Sequence, residues 1–352
     1  MLERTAQRRL KIAITADPEL PVPPKYYGGI ERIIDMLVVG LEERGHDVTL
    51  FAHADSQTKG NLVPWPGKAS RSVIDTANNA RTLASKIIAG KYDVLHSFSR
   101  IASLLPVLPM GLPKVMTYQR AVSPRTTRMG VSLSRGTLSF TAISNWMMQD
   151  VAHIGRWDMV PNGVPLAKFD YVDAVSDDAP LVFLGRVEEI KGPHLAIDIA
   201  KATNKRLILA GNIPDEKRSW VEQNVLSHVD GEQIQFIGPV DDVQKNELLG
   251  KALAFLMPIL WDEPFGIVMA EALACGTPVI GTRRGAVPEV VTDSETGFVR
   301  DTVEELIASM ENVTTLSRKA CRERAEEKYS QDAVVEDYLS VYRDRISGRQ
   351  KV

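Results

Sequence analysis

The sequence predicts two doubly wound α/β domains in tandem, each a parallel sheet covered by helices on both faces. Three observations predict it. Short apolar runs alternate with amphipathic helical segments in both halves of the 352-residue chain. The runs are apolar at nearly every position, as strands buried on both faces must be. The alternation breaks once, at the polar and acidic stretch "VPLAKFDYVDAVSDDAP", residues 164–180. The length is comfortable for two domains of ordinary size.

The elements follow in order. "MLERTAQRRLK" is basic and polar and lacks the apolar stretch of a signal peptide; residues 1–9 are expected to be a flexible arm. "LKIAITA" opens the first sheet. "GGIERIIDMLVVGLEERG" follows as an amphipathic helix stopped by Gly45, and "HDVTLFAH" is the next strand. "YDVLHSF", "KVMTYQ", "SFTAIS" and "DMVPNGV" complete the first half, assigned to residues 10–166. The second, 167–330, has strands "PLVFLGR", "KRLILAG", "IQFIGPV", "LAFLMPI", "PVIGTR" and "TGFV". Helices such as "GPHLAIDIAKATN" and "IVMAEALACG" lie between them. The tail, 331–352, reads as a helix.

Composition narrows the function. Hydrophobic residues make up 44% and charged residues 25%, as in ordinary globular proteins. A net charge of −3 gives no reason to expect nucleic acid as a partner. Two cysteines, Cys275 and Cys321, make no disulfide framework and suit a reducing, cytoplasmic setting. No run is long and apolar enough to cross a membrane; the nearest, "IASLLPVLPMGLP", is broken by prolines. Peripheral attachment at the inner face of a membrane stays open.

In open parallel sheets, ligands sit beyond the carboxyl ends of the strands. With two such domains, the expected site is the cleft they face across. Three stretches at strand ends carry chemistry. In "PPKYYGGIERI", Gly28 and Gly29 allow close backbone approach, and a helix start favours an anion. A tight turn that needs glycine is the plain alternative, and the dinucleotide fingerprint G-x-G-x-x-G is absent. In "LGRVEEIKG", Arg186 and Lys191 fall in a strand-to-helix loop and suit a diphosphate; two solvated surface charges are the alternative. In "LAFLMPILWDEPFG", Pro264 suits a helix's first turn and Gly266 permits close approach. The N–H groups of Phe265, Gly266 and Ile267 then point at whatever Glu263 faces. Glu271 lies a little over two turns along the next helix. Carboxylates accept hydroxyl hydrogens, so a polyhydroxylated ligand makes sense of Glu263 and Glu271 together. A helix-start acid and a solvated helix face are the alternatives. A glycosidase pair would leave Arg186, Lys191 and the glycine turn without a role. Taken together, these features describe a sugar joined to a diphosphate.

The stretches "PPKYYGGIERIIDMLVVGLEERGHDVTLFA", "YDVLHSF", "TAIS", "VPNGV", "LGRVEEIKG", "EPFGIVMAEALACGTPVI" and "GAVPEVVTDSETGFV", in this order, resemble the retaining glycosyltransferases of family 4. Glu263 and Glu271 match the ends of that family's E-x7-E motif. The resemblance implies a GT-B fold of two Rossmann-like domains, with the second holding a nucleotide-diphosphate sugar and the first an acceptor. It implies that Arg186 and Lys191 hold the diphosphate, Glu263 touches sugar hydroxyls and Glu271 binds the ribose. It also implies that no metal cofactor is needed and that the tail helix returns to the first domain. The absence of D-x-D at a strand end and of clustered histidines agrees with that. Where many family members carry a histidine, this chain has Gln119; His96, at another strand end, is expected to face the cleft, with a core histidine as the alternative. Asn162 and Gly163 would mark the hinge. The stretch 119–136, with Arg120, Arg125, Arg128 and Arg135, reads either as a mobile loop or as a basic element for an anionic acceptor or an acidic membrane surface. The acceptor is expected to be a sugar, a lipid-linked molecule or another small molecule. A sugar-nucleotide epimerase of the same fold and a non-catalytic sugar-binding protein are the competing functions.

Overall fold

The computed structural model describes residues 8–25 and 28–349. The expected basic arm therefore lies outside the described residues apart from Arg8 and Arg9, and Arg8 pairs with Asp93 at 2.7 Å. The chain divides into two compact units. Unit 1 is residues 1–162 together with 331–352, and unit 2 is residues 163–330.

Unit 1 is a parallel sheet of strands β1 (Lys11–Thr15), β2 (Asp47–Ala52), β3 (Asn61–Pro64), β4 (Val94–Ser97), β5 (Lys114–Tyr118), β6 (Leu138–Ala142) and β7 (Trp157–Met159). They lie in the order β3-β2-β1-β4-β5-β6-β7. Its helices are α1 (Gly29–Glu43), α2 (Val73–Gly90) and α3 (Pro124–Ser134). Unit 2 contains β8 (Leu181–Leu184), β9 (Leu207–Ala210), β10 (Ile234–Gly238), β11 (Ala254–Met257), β12 (Val279–Thr282) and β13 (Gly297–Arg300). Their order is β10-β9-β8-β11-β12-β13, again all parallel. Its helices are α4 (Pro193–Ala202), α5 (Arg218–Asn224), α6 (Asp242–Gly250), α7 (Ile267–Ala274), α8 (Val287–Val290), α9 (Val303–Ser309) and α10 (Arg318–Arg324). A last helix, α11 (Gln331–Arg349), follows.

Each unit has its own core. In unit 1, Ala13, Phe51, Leu95, Met116 and Phe140 from the sheet pack with Leu83 and Ile87 of α2. In unit 2, Leu181, Leu209, Leu256 and Ile280 pack with Ile197 of α4 and Leu306 of α9. Strand residues buried on both faces explain why the runs read as continuous apolar stretches.

Several elements differ from the reading of the sequence. "DMVPNGV" is not a seven-residue strand: β7 ends at Met159, 160–163 is irregular, and Val164 forms an isolated bridge with Ser330. The basic stretch 119–136 is not a loop, because α3 fills most of it. α3 buries Thr127, Gly130 and Ser134, small or polar residues that make no apolar stripe. Pro264 is not in a helix's first turn; α7 starts at Ile267 with Gly266 as its N-cap.

α11 is tied to unit 1. The Arg44 guanidinium at the end of α1 donates to Asp332 and Glu336. Tyr338 and Tyr342 of α11 are fully buried. Gly40 lets the helices approach, since a Cβ there would lie 2.6 Å from a Val335 methyl. In unit 2 a buried Arg318 performs a similar task. Its guanidinium donates to the carbonyls of Val172, Ala252 and Gly250 and to the Thr277 hydroxyl.

Candidate functional site

The strand order of unit 2 reverses between β8 and β11. From β8 the chain winds outward through β9 and β10; from β11 it winds the other way through β12 and β13. The loops leaving the carboxyl ends of these two central strands therefore diverge, and the space between them is the natural ligand crevice of such a sheet. The β8 loop carries Arg186 and Lys191. The β11 loop carries Trp261, Glu263, Phe265 and Gly266.

Backbone contacts hold the two loops together. The Leu260 N–H donates to Ile190 O at 2.9 Å. Gly192, with φ +74°, caps α4; a Cβ there would lie 2.0 Å from Pro258 O, so only glycine fits. In the β8 loop the Glu188 carbonyl accepts from the Lys191 N–H at 3.0 Å. The buried Glu188 carboxylate lies 2.8 Å from the Arg186 guanidinium, close enough for charge pairing though outside hydrogen-bond alignment. Arg186 keeps about two-fifths of its side chain exposed, at 41%, so a ligand can still reach it.

The two loops meet at Glu263. Its carboxylate is buried, and Oε2 accepts from both Lys191 Nζ and the Trp261 indole N–H, the latter at 3.1 Å. Lys191 Nζ also lies over the Trp261 ring, 4.7 Å from its centroid. The main chain of Glu263 is pinned by a third loop, as Ala286 N–H donates to Glu263 O at 2.8 Å. Gly285 N–H donates to Asp262 at 3.1 Å. The Phe265 ring is buried edge-on against Tyr329, 5.5 Å between centroids, and anchors the turn. Phe265 thus offers a ligand only its main chain. Gly266 takes φ +78°, and α7 has no side-chain cap, so the first N–H groups from Ile267 onward lack a capping side chain.

Glu271 sits on the buried face of α7, where Lys245 of α6 donates to its Oε1. Lys245 also lies 5.4 Å from the centroid of the Phe169 ring. The solvated-face alternative for Glu271 is excluded, since the residue is buried.

The other expected residues belong to unit 1. Gly28 caps α1 with φ +155° and no side-chain cap. Gly29 is the first helical residue. A Cβ on Gly28 would lie 2.8 Å from Glu31 Oε2, so an acidic side chain already backs onto this helix start. Burial pushes the Glu31 carboxyl above its ordinary range. An anion here would have to displace or neutralise Glu31, which weakens the anion reading of this turn. The Gln119 amide makes a reciprocal pair with the Asn162 amide, at 2.7 and 2.9 Å. Half of its hydrogen-bonding capacity is thereby used inside unit 1.

His96 does not face a ligand. It is fully buried in β4, with Nδ1 2.6 Å from the Tyr342 hydroxyl and Nε2 2.6 Å from the Thr117 hydroxyl. Burial lowers its pKa to about 3, so the ring is neutral. Proton transfer to a substrate is closed to it, and the core alternative holds.

Four polar residues near these sites escaped the reading of the sequence. Trp261 lies two residues before Glu263, and nothing in its residue type alone signals a role there. Lys245 meets Glu271 only through the fold, across 26 positions, whereas Glu188 pairs with Arg186 two residues before it in the same loop. Asp17, just past β1, has Oδ1 sealed from water without a hydrogen-bond partner, and its pKa rises to about 6. Burial is the main cause, Glu19 adds to it, and Arg100 and Arg120 oppose it. Asp17 is thus a carboxyl group of unusual character in unit 1. Among the described residues, no group of three or more His, Cys, Asp or Glu side chains is disposed to hold a metal ion, and no helix is long and apolar enough to cross a membrane.

The model of glycosyl transferases group 1 matches residues 169–329, and that of glycosyltransferase family 4 matches residues 27–168. A phosphatidyl-myo-inositol mannosyltransferase of Propionibacterium freudenreichii is 28% identical over 302 residues, covering 76% of this chain and 77% of the relative. A glycosyltransferase from Rickettsia africae superposes with a TM-score of 0.80 at 17% identity, covering 96% of this chain and 99% of that one. HepE from Anabaena, solved with UDP-glucose, gives a TM-score of 0.69 at 16% identity, covering 95% and 100%.

Proposed function

The chain belongs to the family 4 glycosyltransferases and has their GT-B fold, and from that premise we propose that it moves a sugar from a nucleoside-diphosphate sugar to an acceptor hydroxyl with retention of anomeric configuration. The carrying observation is the meeting of Lys191 with Glu263 at the strand-order reversal of unit 2, with Arg186 in the same loop. Cations beside a carboxylate suit a ligand that is anionic at one end and rich in hydroxyls at the other.

In this reading Arg186, Lys191 and the N-terminus of α7 hold the diphosphate. They stabilise the charge that develops as the bond between the anomeric carbon and the phosphate oxygen breaks; such preorganised donors are each worth about 3–4 kcal/mol. The acceptor oxygen attacks from the face the diphosphate leaves, and its proton passes to the departing phosphate oxygen. Glu263 receives hydroxyls of the sugar and Glu271 those of the ribose. The chain's own cations and helix end do the electrostatic work, so we propose that no metal is required. The acceptor is a sugar or lipid-linked hydroxyl. The name of the Propionibacterium relative supports a lipid, and so does α3, which has Arg125, Arg128, Met129 and Leu133 exposed and no acidic residue.

The test is a panel of nucleotide sugars followed for nucleoside diphosphate release with and without added acceptor. Transfer predicts release that depends on acceptor; epimerisation predicts turnover of the donor without one. Lys191→Ala and Glu271→Ala should lower turnover by at least a hundredfold while the protein stays folded. Near-wild-type turnover in both would remove the assignment.

A further inference from the structure

Trp261 is the residue in this crevice whose chemistry the transfer reaction does not itself demand. One indole touches both members of the ion pair. Its ring face lies under Lys191 Nζ at 4.7 Å, and its N–H reaches Glu263 Oε2 at 3.1 Å. Among side chains only tryptophan combines a strong cation-binding face with a lone N–H donor and no acceptor. The two donors converge on the same carboxylate oxygen, on a side chain that is largely buried, at 12% exposed.

The surroundings restrict what can move. The main chain of Glu263 is fixed by Ala286 and packed against Gly285, whose φ is +52° and whose added Cβ would fall 2.3 Å from Glu263 O. Phe265 anchors the far side. The Lys191 ammonium, by contrast, ends a flexible four-carbon stem. If Lys191 turns to an incoming diphosphate, Glu263 stays where it is and loses one of its two donors.

A buried carboxylate deprived of a donor is costly. Two things relieve that cost: the indole N–H, which remains, and a hydroxyl hydrogen of the sugar, which replaces the ammonium. We infer that Trp261 is a positioning and specificity-determining residue. It holds Glu263 on station while Lys191 changes partner, and so couples diphosphate binding to recognition of a sugar hydroxyl. This rests on the donor site proposed above. Its consequence is that a nucleoside diphosphate without its sugar binds against a penalty, because it draws Lys191 from Glu263 and returns nothing.

The experiment measures the affinity of UDP and GDP for the full chain by calorimetry, then the steady-state constants with the matching nucleotide sugar. Wild type and the Lys191→Ala, Glu263→Gln, Trp261→Phe and Trp261→Leu variants are compared, each checked for an unchanged melting temperature. Loss of diphosphate binding in Lys191→Ala establishes the donor site; intact binding there, or none in wild type, ends both readings. With the site established, Glu263→Gln should tighten diphosphate binding about tenfold, since Lys191 loses its competitor, while transfer falls at least tenfold. Trp261→Phe keeps the ring face and loses the N–H. It should leave diphosphate affinity within about twofold and raise KM for the nucleotide sugar, or lower kcat, about tenfold. Trp261→Leu should impair both ligands. The inference is overturned if Glu263→Gln weakens diphosphate binding, if Trp261→Phe changes the two ligands equally, or if Trp261→Phe changes neither.

Discussion

Asp17 leaves β1 for a place where one carboxylate oxygen is sealed from water and Glu19 lies nearby. Its pKa of about 6 in the fold, against 3.8 in a free chain, makes a statement about stability. Between those values the folded protein holds a proton that the unfolded chain has lost, so stability falls as pH rises from about 4 to 6. Above that the cost of the ionised group is present in full, at no more than about 3 kcal/mol. Asp17→Asn should therefore raise the melting temperature at pH 8, and the advantage should vanish below pH 4. An equal gain at both values would mean that ionisation is not the cause. His96 has the opposite sign. Its folded pKa of about 3 lies below the unfolded 6.5, so its contribution to stability is lost as pH falls through that interval. Neither role was visible in sequence. His96 stood at a strand end, as ligand-facing residues do, and only the fold brings Thr117 and Tyr342 to its ring nitrogens across 21 and 246 positions.

The third loop of unit 2 shows at the scale of elements what residue types alone could not. The motif "GAVPE" was legible as part of a family pattern, yet its task was not. In the fold it carries Gly285 against the main chain of Glu263 and starts α8 behind it. Gly285→Ala would force the loop between β11 and α7 to move by an ångström or more, because its Cβ would meet backbone atoms 2.3 and 2.4 Å away. A shift of that size at a positioned carboxylate costs roughly a hundredfold in rate. We expect kcat to fall by that order with a loss of about 1–3 kcal/mol in stability, read by donor turnover and thermal melting. Retained kcat would show that the loop tolerates displacement. Elsewhere the legibility of an element followed its chemistry. α7 is legible as a helix because it is apolar and bounded by Gly266 and Gly276, although Pro264 suggests a start three residues before the true one at Ile267. α3 was missed as a helix because Thr127, Gly130 and Ser134 form its buried side, and Gly130 packs so closely that a Cβ would lie 2.6 Å from Ile101.

At the scale of the whole molecule, the chain leaves unit 1 at Asn162, builds unit 2 and comes back at Gln331. The doubly wound class was legible because parallel strands buried on both faces leave an apolar record in the sequence. The energetic weight of the return was not, because it rests on pairs far apart in the chain. α11 gives unit 1 the buried Tyr338 and Tyr342, the Arg44 clamp to Asp332 and Glu336, and Arg345, which donates to Ser139 and Asp158. Two buried tyrosine rings alone are worth several kcal/mol of apolar burial, at about 25 cal/mol per Å². That sum is comparable to the whole stability of an ordinary domain. A chain ending at Ser330 should therefore lose unit 1 and keep unit 2, which is made of residues 163–330 and has its own core. Hydrogen exchange read peptide by peptide separates the two outcomes. Amides of β4, β5 and β6 should exchange fast in the shortened chain, and those of β8, β9 and β11 should stay protected. Because the proposed diphosphate site lies in unit 2, UDP or GDP should still bind the shortened chain while transfer is lost. Fast exchange in both units would show that α11 supports the two together, and slow exchange in both would show that unit 1 stands without it.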